Sequence, residues 1–179
     1  MGRREDAVAV ARTRGEAFPQ SYDAQAFLLQ LLQLDGSDAG ALLNAAKEAG
    51  ARQDRDAFAK LLVAQANALA DDLPAAEDAA RAAALAATKL EDFDNADSFD
   101  EQSLAVALAT MLDRLKLFDE ADALLARAAE AGAKDAAEVF ALRRYDRLPI
   151  EQAIAATRDR TNASTPELRR RRRGECEFG

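Results

Sequence analysis

Carboxylates are the commonest chemistry-bearing groups in this chain, with 32 Asp and Glu among 179 residues. Two acids can cleave a glycosidic bond if one of them is kept protonated by an apolar pocket. Here acids recur so densely that pairs on one helix face arise by chance, and none falls in an apolar setting. The densest run is Glu91-Asp92-Phe93-Asp94-Asn95-Ala96-Asp97-Ser98-Phe99-Asp100. Clustered oxygens suit hard cations, so the run can be tested as a calcium loop. Starting at Asp92, the ligand places hold Asp92, Asp94, Ala96, Ser98, Asp100 and Ser103. Asp97 stands where the loop needs Gly, and the bidentate Glu is missing. The run reads as a solvated linker, with Phe93 and Phe99 available as anchors for a basic partner.

Histidine is absent and cysteine occurs once, at Cys176. No Ser-His-Asp triad, Cys-His dyad or histidine metal site can be built. We therefore assign no catalytic, cofactor-binding or metal-ligating residue, and expect no enzyme. A lone thiol makes no internal disulfide and gives no reason to place the chain in an oxidising compartment. No apolar run approaches the ~20 residues that span a bilayer. Ala7 to Ala11 is too short for a signal-peptide core. The expectation is a cytoplasmic protein.

Arg169 to Arg173 form a run of five arginines. Such a run can contact nucleic acid, anionic lipid or an acidic protein surface. Residues 164 to 179 carry a net charge of +2, which leaves −10 on the rest. An acidic body repels phosphate backbones and favours basic protein partners. Nucleic acid is expected only through the arginine tail. The last residues, Gly174 to Gly179, are unlike the body and carry no functional weight.

Helices must position whatever these residues do. Alanine fills 45 positions, whereas Val and Ile together fill 7. Ala, Leu, Glu, Arg and Gln favour helices, and a sheet core would want β-branched and aromatic residues. Caps and apolar spacing predict helices over 5–17, 23–34, 38–49, 54–70, 74–90, 100–117, 119–131 and 135–146, with a ninth from Pro149. Asp23 and Asp38 are the expected caps of the second and third. Gly50 and Gly132 are expected to end helices in left-handed conformation. Links of two to six residues make consecutive helices antiparallel neighbours.

One spacing recurs. Ala109 is followed after twelve residues by Ala121, then by Leu125 and Ala128. Ala64 is followed in the same way by Ala76, Ala80 and Ala83, and Ala141 by Ala153. Small residues let helix backbones approach, and Phe118 is expected to plug the gap at its bend. The stretch 102–135, with Phe118-Asp119-Glu120-Ala121 opening its second helix, resembles a tetratricopeptide repeat. It departs from that pattern at Ala105, where Trp is usual, at Lys116, where Gly is usual, and at Ala133, where Pro is usual. Flanking copies cover about 56–87 and 134–160. The resemblance implies an all-α fold of antiparallel hairpins stacked as a short right-handed superhelix. We divide the chain into an N-terminal helical region (1–53), repeats (54–161) and a basic, disordered tail (162–179).

The resemblance also implies function. In this family the first helix of each pair lines a groove that holds a partner segment. The corresponding residues, expected to stay clear of internal packing, are Gln65, Ser103, Val106, Thr110, Asp113, Arg114, Glu138 and Tyr145. The implied role is a non-enzymatic adaptor, assembly factor or chaperone-like binder of another protein or peptide. One alternative is a structural subunit of a larger assembly, with an apolar outer patch drawn from Leu28, Leu31 and Leu32. Another is a nucleic-acid-associated protein acting through Arg169, Arg170, Arg171, Arg172 and Arg173.

Overall fold

Methyl-rich, poorly β-branched segments fold here into helices alone. In the computed structural model, residues 2–93 and 103–146 are described. They hold nine helices and no strand. These are α1 (Gly2–Ala17), α2 (Tyr22–Leu34), α3 (Ala39–Gly50), α4 (Asp56–Leu69), α5 (Leu73–Ala86), α6 (Leu90–Phe93), α7 (Leu104–Arg114), α8 (Phe118–Glu130) and α9 (Lys134–Asp146). Met1–Phe140 form one compact unit and Ala141–Gly179 a second, of which the described part is 141–146, the end of α9. The helix expected from Pro149, the arginine tail and residues 94–102 lie outside the described residues.

Short polar side chains start several helices by accepting otherwise unpaired amides. Ser21 Oγ accepts from Ala24 N (3.2 Å), Asp38 Oδ1 from Ala41 N (2.7 Å) and Asp72 Oδ1 from Ala75 N (3.2 Å). The cap of α2 is thus Ser21, not Asp23. Helix α5 stops at Ala86, short of the expected Leu90. Its end is marked by a new turn in which the Asp92 carboxylate accepts from the Thr88 and Lys89 amides, both at 2.9 Å. Burial raises the Asp92 pKa, but these backbone bonds, the Lys89 charge and the Thr88 hydroxyl outweigh it and hold the group below its ordinary value.

Four helices end on a residue with positive φ: Gly36 (90°), Asp71 (61°), Lys116 (63°) and Gly132 (101°). After each, the next amide reaches back five residues. Ser37 donates to Leu32 O (3.0 Å), Asp72 to Asn67 O (2.9 Å), Leu117 to Leu112 O (2.8 Å) and Ala133 to Ala128 O (2.9 Å). This left-handed cap satisfies carbonyls that a helix end leaves bare. Gly132 behaves as expected. Gly50 does not: it is the last residue of α3, and its φ is not positive. Its missing side chain instead allows close packing, since a Cβ there would lie 3.2 Å from Ala59 Cβ on α4.

The first three left-handed residues lie at the bends of consecutive hairpins α2–α3, α4–α5 and α7–α8. Beyond each bend the second helix buries three residues at the same spacing: Leu42, Ala46 and Ala49, then Ala76, Ala80 and Ala83, then Ala121, Leu125 and Ala128. The first helices α2 and α4 run parallel and in step. The Tyr22 ring at the start of α2 meets Phe58 of α4 edge-on at 5.7 Å, and Gln33 at the end of α2 donates to Leu69 O at 2.8 Å. Both contacts span 36 residues. Arg81 and Glu120 (3.4 Å), and Arg127 with Ala84 O (2.7 Å), set α5 and α8 parallel in the same way. Helix α4 therefore touches α2, α3, α5 and α7. One core includes Leu29, Leu42, Phe58, Leu61, Leu108 and Leu125.

Two apolar residues at bends stay out of this core. Phe118 is 48% exposed, so it does not plug the bend, and Leu73 at the matching place in α5 is exposed too. Each is the first residue of its helix.

Candidate partner-binding face

The residues expected to line a groove come from α4, α7 and α9. On α7, Ser103, Val106, Thr110 and Asp113 recur every three or four positions and so share one side of the helix. Gln65 occupies the place on α4 that Thr110 has on α7, each being six residues before its left-handed bend residue.

Burial divides the set. Gln65 is 4% exposed, Ser103 2% and Val106 6%, which corrects the expectation that they stay clear of internal packing. The reason is position: α4 and α7 have helices on several sides, and a pattern read along one helix shows only one of them. The Ser103 hydroxyl is buried without a hydrogen-bond partner among the described residues. Thr110 is half-buried and spends its hydroxyl on Val106 O at 2.8 Å. Asp113 is partly exposed and Arg114 exposed. Glu138 is exposed on α9. The side chain of Tyr145 and residues 169–173 lie outside the described residues.

What remains accessible centres on Thr110, Asp113 and Arg114; on α2 the Tyr22 side chain is only partly exposed and its hydroxyl is buried. Burial pushes the Tyr22 hydroxyl up to about 12, the Arg114 charge opposes the rise and the Asp23 charge adds to it. The accessible part of the face holds a carboxylate and a guanidinium, a set suited to gripping polar backbone and charged side chains. No family model, curated protein or solved structure matches the chain. Its function must be argued from this geometry.

Tyr22 was missed in the sequence because it lies before the expected start of its helix. Its signal is its distance to Phe58, which gains meaning only once the step between α2 and α4 is known. Among the described residues no group of three or more His, Cys, Asp or Glu side chains could hold a metal ion. None of the described helices is long and apolar enough to cross a membrane.

At the starts of α2 and α4, Arg55 ties three turns together. Its guanidinium donates to Gln20 O and Glu91 O, both at 3.5 Å, and lies 5.4 Å from the Phe58 ring centre. Gln20 donates to Arg52 O (3.0 Å), and Gln53 to Pro19 O. These contacts hold the starts of α2 and α4 in place, which is what positions Tyr22.

Proposed function

We propose that this chain is a non-enzymatic protein-interaction module of tetratricopeptide-like hairpins, holding a segment of another protein along a face shared by its first helices. The observation that carries the reading is the step between α2 and α4, the same 36 residues at both ends of the helices. Two parallel first helices in register, α2 and α4, begin a strip along which a partner can lie. The small residues buried at one spacing in three second helices support the same reading. In this proposal Thr110, Asp113 and Arg114 contact the partner, while Tyr22, Gln65, Ser103 and Val106 shape the floor beneath them. The body's net charge of −10 favours a basic segment and a salt-sensitive association rate. A cytoplasmic setting belongs to the same reading and rests on the lone cysteine.

The test is selection of binding peptides from a displayed random library, followed by amide chemical-shift mapping. Perturbations centred on Tyr22, Thr110, Asp113 and Arg114, with binding lost in Arg114→Glu, are expected. Selected peptides that map elsewhere, or that bind Arg114→Glu equally well, would sink the proposal.

A further inference from the structure

The outer side of α2 carries a second surface, independent of the face just described. Phe27, Leu31 and Leu34 lie at i, i+4 and i+7 and form one stripe. Phe27 is 45% exposed and Leu34 67%. Leu28 and Leu32, anticipated as parts of an outer patch, instead turn inward, with Leu32 buried and Leu28 packed against the core.

The hairpin register tells what kind of object this stripe accepts. Counting from the left-handed bends at Gly36 and Asp71, Phe27, Leu31 and Leu34 match Leu62, Ala66 and Leu69 of α4. Leu62 and Ala66 are fully buried, and Leu69 is partly buried against the core with its carbonyl taken by Gln33 of α2. On α4 this side is covered within the array of hairpins. On α2 the described residues leave the same side uncovered at Phe27 and Leu34, with Leu31 partly exposed. Helix α1 stands where a preceding second helix would: its Gly15 lies against Gln25 as Gly50 of α3 lies against Ala59 of α4. Among the described helices, α1, α3 and α4 pack on α2.

Charge narrows the occupant further. Near the Leu34 end stand Asp35, Asp38, Asp71 and Asp72, all exposed, with Asp71 brought close by the bond from Gln33 to Leu69 O. The first turns of α1 hold Arg3, Arg4, Glu5 and Asp6, which cancel. A second copy of the chain, packed α2 against α2, would set these acids against acids. We infer that the Phe27–Leu31–Leu34 stripe docks an amphipathic helix of a partner protein that runs parallel to α2 and carries Lys or Arg beside its apolar face.

The test uses the full chain and a fluorescein-labelled peptide of residues 20–36 bearing Asp23→Lys and Asp35→Lys, since α2 is the helix seated beside α4. Fluorescence anisotropy should show saturable binding, weakened at least about tenfold in Phe27→Gln/Leu34→Gln. Asp35→Asn/Asp71→Asn should weaken it severalfold, and raising salt from about 50 to about 500 mM should do the same. Circular dichroism and thermal melts confirm that the variants, all at exposed positions, stay folded. Binding that survives Phe27→Gln/Leu34→Gln, binding abolished by Arg114→Glu instead, or no saturable binding would each overturn the inference. So would a dimer in sedimentation that dissociates in Phe27→Gln/Leu34→Gln, because the occupant would then be a second copy. The groove reading stands or falls separately, on Arg114→Glu.

Discussion

Asp71 and Lys116 hold the same left-handed backbone conformation, φ 61° and 63°, at the bends of successive hairpins. Left-handed geometry costs an L-residue roughly 1–2 kcal/mol, less for Asp, whose short side chain can bond locally. This conformation lets the following amides, of Asp72 and Leu117, reach back to Asn67 O and Leu112 O. Lys116→Gly should therefore raise stability by about 1 kcal/mol, and Asp71→Gly by less. Lys116→Val, β-branched at positive φ, should lower it. Urea midpoints of the three variants check the order.

Helices α3 and α4 meet where Gly50 has no side chain, and a Cβ there would stand 3.4 Å from Ala59 Cα as well as 3.2 Å from its Cβ. Gly50→Leu should push the helices apart and cost about 1–3 kcal/mol. Gly50→Ala should cost much less, because the gain in helix propensity, about 1 kcal/mol, opposes the crowding. Thermal melts of the pair measure the difference.

Arg127 of α8 donates to Ala84 O at 2.7 Å and Ala87 O at 3.4 Å, so a cation from one hairpin caps the last turn of the one before. Arg127→Leu keeps bulk but removes both bonds and the favourable charge at a helix C-terminus. A loss of about 1 kcal/mol is expected, with the site's exposure limiting the effect. Faster amide hydrogen exchange across the end of α5 would localise it there.

Tyr22 titrates late. Its folded value, about 12, exceeds the ordinary 10, so it adds stability that is fully present below pH 10 and lost as pH rises through 12. Absorbance at 295 nm should show a tyrosine phase near pH 12 that vanishes in Tyr22→Phe. The wild type should lose stability between pH 10 and 12 more steeply than the variant. A single phase near pH 10 in both would contradict this assignment.

Much of the secondary structure was legible in the sequence, because caps and turns act locally. Asp38 and Gly132 each act within one turn, and the structure uses them as expected. The small positions Ala64, Ala76, Ala80, Ala83, Ala109, Ala121 and Ala128 are all buried. Misreadings arise where a neighbour decides. Gly50 suits either a left-handed end or a tight contact, and Ala59 settles it for contact. Ser103 and Gln65 look like solvent-facing polar residues until helices on other sides cover them. Phe118 is apolar enough to be buried, yet its place at the very end of a helix leaves it out. The bend at Gly36 hides its kinship with the later ones because its hairpin is one residue longer past the turn and opens its buried trio with Leu42 instead of Ala.

Where second helices bury Ala76, Ala80 and Ala83, backbone separation is set by single methyl groups. A leucine-filled interior suffers when it is trimmed. Here the sensitivity is reversed: shortening any of these side chains removes almost nothing, while lengthening one has no slack to use and must move a whole rod. Sequence drift in such a protein has room on the outside and in the bends, but along these seams it can scarcely grow.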